Sequence, residues 1–206
     1  MKKIILLLST CCIVVLNLNA QLATDETPYG LKADFNARSQ DKIILAAPDI
    51  ARIVKEDSEN DQKQGPLRYA YPVGVNYTLE NSGVWQQLDD GSKIWRLKVN
   101  VPGALSTNTY YDRFWLPEGA KFFVYSEDTR QSIGAITSDF IGGNRNEPIE
   151  FATALIYGEN VVYEYYQPAA LQEPPAIIIS RIDYGYRYVD NSNINIFRGF
   201  GGRNYY

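Results

Sequence analysis

The sequence predicts an all-β fold: an antiparallel β-sandwich or jelly-roll-like domain with a short N-terminal helix. Three observations carry that expectation. From Leu67 onward, short runs rich in β-branched and aromatic residues follow one another. Turn signals punctuate them at Asn81-Ser82-Gly83, Asp89-Asp90-Gly91, Pro117-Glu118-Gly119 and Gly142-Gly143-Asn144. Helical periodicity is confined to one stretch before residue 60, and a run of strands with almost no helix favours a layered β architecture.

Taken in order, residues 21–66 form a polar segment rich in Asp, Glu, Lys and Gln, with one apolar cluster at Ile43 to Ala47. After Pro48, the stretch Asp49 to Asp57 places Ile50, Ile53 and Val54 at i, i+3 and i+4, the apolar face of a short helix capped by Asp49. Asp57-Ser58-Glu59-Asn60-Asp61 alternates oxygen-bearing side chains like a calcium loop. Gln62 stands where the turn needs Gly, and Arg68 where a bidentate Glu belongs, so the stretch reads as a solvated linker.

The sandwich domain is expected over 67–190. Its strands are predicted at Tyr69–Thr78, Val84–Leu88, Lys93–Val101, Thr107–Arg113, Lys121–Tyr125, Ser132–Thr137, Phe151–Ile156, Val161–Tyr166 and Ala176–Val189. In the third of these, Ile94, Leu97, Val99 and Val101 alternate with Lys93, Arg96, Lys98 and Asn100, and Trp95 reads as a break in the pattern. Asp90-Gly91 supplies the positive φ angles of a tight hairpin, which brings Trp85 and Trp95 close across a strand pair. The Asn/Gly/Tyr-rich residues 191–206 read as a fraying tail.

Residues 1–20 read as a secretory signal peptide, with Lys2-Lys3, an apolar run from Ile4 to Leu16, and cleavage between Ala20 and Gln21. The apolar run is shorter than the ~18–20 residues that span a bilayer, so the expectation is an exported chain, secreted or periplasmic, without stable membrane insertion. Both cysteines, Cys11 and Cys12, fall inside this leader, which leaves the mature chain without disulfide or thiol chemistry. Removal of the leader takes two lysines and no acids, leaving 18 basic against 24 acidic side chains, a net charge of −6. An acidic surface offers no attraction to nucleic acid.

No histidine occurs in the sequence. Triads that use imidazole as base, and zinc centres that use it as ligand, are therefore excluded on this chain, and no cofactor is expected. Ser39-Gln40-Asp41-Lys42 has the spacing of a Ser-x-x-Lys pair but lacks the partner motifs such enzymes carry. Acidic pairs at Asp89-Asp90 and Glu147 to Glu150 lie in turn-like sequence and read as solubilising charge. Asn76-Tyr77-Thr78 matches the N-glycosylation pattern inside a predicted strand.

The stretch Gly83 to Pro168 carries a distinctive order of motifs. It opens with Gly83-Val84-Trp85-Gln86-Gln87-Leu88-Asp89-Asp90-Gly91 and Ile94-Trp95-Arg96-Leu97. Val101-Pro102-Gly103-Ala104, Phe114-Trp115-Leu116-Pro117-Glu118-Gly119, Phe123-Val124-Tyr125-Ser126 and Ile133-Gly134-Ala135 follow, and Tyr157 to Pro168 closes it. This order resembles the non-catalytic N-terminal region of bacterial secreted lysyl-endopeptidase-like, trypsin-like serine peptidases, from about Asp49 to Gly201. Tyr184-Gly185-Tyr186-Arg187 and Arg198-Gly199-Phe200-Gly201 resemble the approach to that family's Gly-rich junction.

The resemblance implies a pro or accessory domain whose partner is a catalytic peptidase domain in cis, assisting its folding, secretion or temporary inhibition. It implies processing near Gly199 to Gly202, beyond which the family continues into a cysteine-bearing catalytic domain. In place of that domain stand Gly202-Arg203-Asn204-Tyr205-Tyr206, and the expectation is a truncated or fragmentary, non-catalytic chain.

The alternative is a free-standing secreted module that binds carbohydrate or a cell surface. Its aromatic platform would draw on Trp85, Trp95, Trp115, Tyr110 and Tyr111, because flat rings on a sheet stack on sugars. The same rings are also what a half-buried strand needs for its core, so core and platform both stand.

Overall fold

The computed structural model describes Thr24 and residues 26–32, 42–60 and 67–188. The signal-peptide expectation with its Ala20/Gln21 cleavage point, the tail at 191–206 and Ser39 of the Ser-x-x-Lys spacing lie outside these residues.

The chain is an all-β sandwich of two sheets. Its elements are α1 (Tyr29–Lys32), β1 (Lys42–Ile44), α2 (Ile50–Asn60), β2 (Ala70–Thr78), β3 (Val84–Gln87), β4 (Lys93–Asn100), β5 (Ser106–Trp115) and β6 (Lys121–Ser126). They continue with β7 (Ser132–Ile136), β8 (Ile149–Ala152), β9 (Ile156–Tyr157), β10 (Asn160–Gln167) and β11 (Ala176–Gly185). One sheet, called A here, runs β1-β4-β10-β6-β7, with β3 sharing the β4 edge with β1; the other, B, runs β2-β11-β5-β8, with β9 sharing the β5 edge with β8. All pairings are antiparallel except β1 with β4, which is parallel.

The inward faces of both sheets meet in one core. Across sheet A, the register aligns Trp85, Trp95, Tyr165, Phe122 and Ile136 in a single row over five strands. Facing them from sheet B are Tyr111, Phe114, Ile177, Ile179, Ile182 and Tyr184. Tyr111 and Phe114 meet Phe122 edge-on at 5.8 and 5.3 Å between ring centroids, the arrangement aromatic quadrupoles favour. Burial drives this contact, and each fully buried ring contributes roughly 1.5–3 kcal/mol. A hydrogen bond crosses the core between the hydroxyls of Thr109 and Tyr163 at 2.7 Å, and it satisfies two groups that would otherwise be costly to bury.

Several expectations change in detail. Trp95 does not break the alternation of β4: Trp95, Leu97, Val99 and Val101 all point into the core, and Ile94 is the residue out of phase, buried on the opposite face of sheet A. The strand expected at Phe151–Ile156 is divided into β8 and β9. Between them Thr153 donates its N–H to Thr109 O, and its carbonyl accepts the side-chain amide of Asn108, so the chain is held to β5 without ladder geometry. The last strand ends at Gly185, before the expected Val189, because the N–H groups of Tyr186 and Arg187 both turn to Tyr69 O.

The segment before Leu67 packs on the sandwich. Helix α2 is capped as its sequence indicates, with Arg52 N–H donating to Asp49 Oδ1 at 3.0 Å. Its inward residues are Ile50, Ile53 and Asp57, while Val54 is 48% exposed. Asp57 is buried, in contrast to the solvated linker its surroundings suggest. Arg68 Nε donates to its Oδ1 at 2.8 Å, Tyr186 Oη donates to its Oδ2 at 2.6 Å, and Arg187 lies 3.1 Å from Oδ2. A buried carboxylate is tolerable only with partners of this kind, and here they pin α2 to one end of sheet B's β2–β11 pair, where β2 begins and β11 finishes.

Candidate functional site

The five aromatic residues expected to form a platform do not share a surface. Trp95 and Tyr111 are 0% and 1% exposed and belong to the core, so neither offers a ring face to a ligand. Trp85 lies on β3 of sheet A, whereas Tyr110 and Trp115 are half-buried on β5 of sheet B. Period-2 alternation alone does not reveal which of two adjacent aromatic positions faces inward, because that depends on which sheet covers which.

What the structure brings together around Trp85 is a shelf on the margin of sheet A. Trp85 is 43% exposed. Its Nε1 donates to Leu79 O at 3.2 Å, and its ring stands edge-on to Tyr165 at 5.9 Å. One pleat further along, Gln87, Lys93 and Gln167 align across β3, β4 and β10 on the same face. With Gln86 these residues border a groove of about 430 Å³. Gln167 is held in place by its Nε2, which donates to Leu171 O at 2.9 Å. The glutamines carry no motif of their own; the Asp89-Asp90-Gly91 hairpin is the signal that could have placed Gln87 opposite Lys93.

A second concavity of about 330 Å³ lies on sheet B, bordered by Gly74, Tyr110, Tyr111, Asp112, Glu150, Phe151, Ser180 and Arg181. A β-bulge between Ile179 and Arg181 curves β11 at this point, and a Cβ at Gly74 would meet nothing within 4 Å. The Arg181 guanidinium lies over the Tyr110 ring at 3.5 Å and pairs with Asp183 Oδ1 at 2.9 Å, so the Tyr110 face is already covered.

The third cluster is buried. Glu164, on the outward face of β10, is 0% exposed beneath the strap of residues 26–32. It accepts the Gly30 N–H at 3.0 Å and the Tyr125 hydroxyl at 2.9 Å, with Arg96 Nε at 3.7 Å. Burial pushes its carboxyl above the ordinary 4.5, against the opposing pull of the Gly30 N–H, Tyr125 and Arg96. The strap is anchored by Tyr29, stacked on Tyr166 at 3.7 Å, and by Glu26 bonded to Lys121 at 2.6 Å. A Cβ at Gly30 would lie 2.6 Å from Glu164 Oε2, so this cluster is filled by the protein's own backbone and leaves no room for a substrate. Among the described residues, no three His, Cys, Asp or Glu side chains converge as a metal site.

The class these features define is a two-sheet all-β sandwich with an open aromatic and amide shelf on one margin. No family model matches the chain.

Proposed function

We propose that this chain is the non-catalytic pro or accessory domain of an exported lysyl-endopeptidase-like serine peptidase precursor. The observation that supports the reading is where the resembling motifs fall. Trp85 and Trp95 are register partners, Trp95 is a fully buried member of the core row of sheet A, and Gly83 packs directly against its indole. Tyr184-Gly185-Tyr186-Arg187 closes β11, with Tyr184 Oη bonded to Pro102 O at 3.1 Å and Tyr186 Oη to Asp57. The residues that carry the resemblance thus occupy positions on which this sandwich depends.

A domain of this kind acts by offering a rigid surface to a folding partner. Binding the transition state for peptidase folding lowers a barrier that the released enzyme keeps as kinetic stability. The curved outer face of sheet B, with Asp112, Glu150 and the Tyr110–Arg181 stack, is the surface best suited to such docking. On this reading the chain hydrolyses nothing itself, and turnover of lysyl or arginyl esters that survives repurification and inhibitor controls would count against it.

The direct test adds the purified exported chain to the denatured catalytic domain of a lysine-specific serine peptidase and follows the return of activity on dilution. Faster recovery, or inhibition of the native enzyme that competes with substrate, is expected. No effect on either would overturn the proposal. Sequencing the gene beyond codon 206 gives an independent check, since the reading expects a frame encoding His, Asp and a Gly-Asp-Ser-Gly nucleophile.

A further inference from the structure

We propose that the shelf around Trp85 is a binding site for a neutral oligosaccharide of pyranose rings. The site does not depend on the peptidase reading and would serve an exported chain of either kind.

The indole is the first argument. Its single polar group, Nε1–H, is already committed to Leu79 O, so what the 43% exposed indole presents to solvent is apolar ring surface with no hydrogen bond left to make. That ring is also braced edge-on by Tyr165. A rigid, half-exposed indole loses little conformational entropy when something stacks on it, and this is the property that makes aromatic anchors efficient. The C–H face of a pyranose with equatorial hydroxyls is flat, apolar and of matching size.

The polar row supplies the second argument. Gln87, Lys93 and Gln167 lie two residues along the strands from the Trp85 row, about 6.7 Å away at the rise of a β-strand. They cross three strands and so extend over about 10 Å, the scale of two linked sugar rings. Amides both donate and accept, which suits hydroxyl groups that do the same. Gln167 commits its nitrogen to Leu171 O, which orients its Oε1 as an acceptor.

Charge disfavours a basic occupant. The groove is bordered by Trp85, Gln86, Gln87, Lys93 and Gln167, one cation and no carboxylate. A basic peptide finds no counter-charge there, whereas a neutral glycan needs none. The sheet B groove, with Asp112 and Glu150, carries the opposite character and its Tyr110 ring is capped by Arg181, which disfavours sugar stacking at that site.

The test is isothermal titration calorimetry of the exported chain with cellohexaose, laminarihexaose and xylohexaose. Saturable binding of at least one is expected. Trp85→Ala should weaken it by more than about tenfold, the usual consequence of truncating a central aromatic anchor. Gln87→Ala, at an exposed position whose loss leaves the core untouched, should weaken it severalfold and guards against a folding defect in the first variant. The proposal is overturned if none of the three sugars binds, if binding is unchanged in both variants, or if only peptides or a second copy of the chain occupy the shelf.

Discussion

Trp85 and Trp95 stand directly opposite one another on β3 and β4, yet Trp95 is wholly buried while Trp85 keeps 43% of its surface in solvent. Position in the sheet separates them: β4 has β10 on its far side, whereas β3 is the margin. Both indole N–H groups reach back to the same turn, Trp85 to Leu79 O and Trp95 to Ser82 O, the latter at 2.8 Å. The turn between β2 and β3 is therefore built against the two rings together.

Gly83 closes that turn with φ of +67°, and a Cβ there would lie 2.6 Å from Arg96 O and 2.7 Å from the Trp95 ring. Left-handed backbone costs an L-residue roughly 1–2 kcal/mol, and overpacking adds about 1–3. Gly83→Ala is expected to lower stability by about 2–4 kcal/mol, read as a reduced urea midpoint with an unchanged m value. A loss under about 0.5 kcal/mol would show that the turn moves freely away from Trp95.

Asp57 gives a pH-dependent expectation. Burial raises its carboxyl, but hydrogen bonds from Tyr186 and Arg68 and the charges of Arg68 and Arg187 outweigh burial and hold it below the ordinary 3.8. A depressed carboxyl contributes stability that is present above 3.8 and is lost as pH falls through its lower folded value. Asp57→Asn should cost about 3 kcal/mol at neutral pH, and the gap to wild type should close on acidification below about 3.8. Parallel denaturation curves for the two proteins at every pH would contradict this assignment.

Glu164 has the opposite sign. Its carboxyl is raised above 4.5, so the folded state holds the proton more tightly than the unfolded chain does. The contribution is fully present below 4.5 and is lost as pH rises through the folded value. Relative to Glu164→Gln, wild type should therefore lose stability as pH climbs above about 4.5, measured as the difference in urea midpoints across a pH series. A difference that stays flat would mean that the Gly30 N–H, Tyr125 and Arg96 balance burial, and one that grows in favour of wild type that they overcome it; either would contradict this assignment.

The sequence is most legible where local chemistry suffices. Asp49 caps α2 because its side chain reaches its own helix's free N–H groups, an interaction within four residues. The β3–β4 hairpin forms at Asp90-Gly91, although of the two only Gly91 takes a positive φ, +83°, while Asp90 contributes its Oδ1, which accepts Ser92 N–H at 2.9 Å. Strand boundaries around Lys93, Lys121 and Ala176 follow from runs of β-formers flanked by turn residues.

Tertiary structure alone decided the fate of individual side chains. Nothing near Glu164 in the chain announces that Gly30, 134 residues away, will supply its N–H and seal it from water. Asp57 sits in an acidic stretch that reads as solvated, and only the approach of Arg68 and Tyr186 makes it a buried anchor. Trp85 and Trp95 have equal claims on the core until the sheet order leaves β3 on the margin. The sequence by itself thus determined which segments become strands, turns and helix, because those choices rest on backbone preferences and period-2 patterning. Which rings are covered, which charges are buried and which face stays open depend on contacts between residues far apart in the chain, and no local preference encodes them.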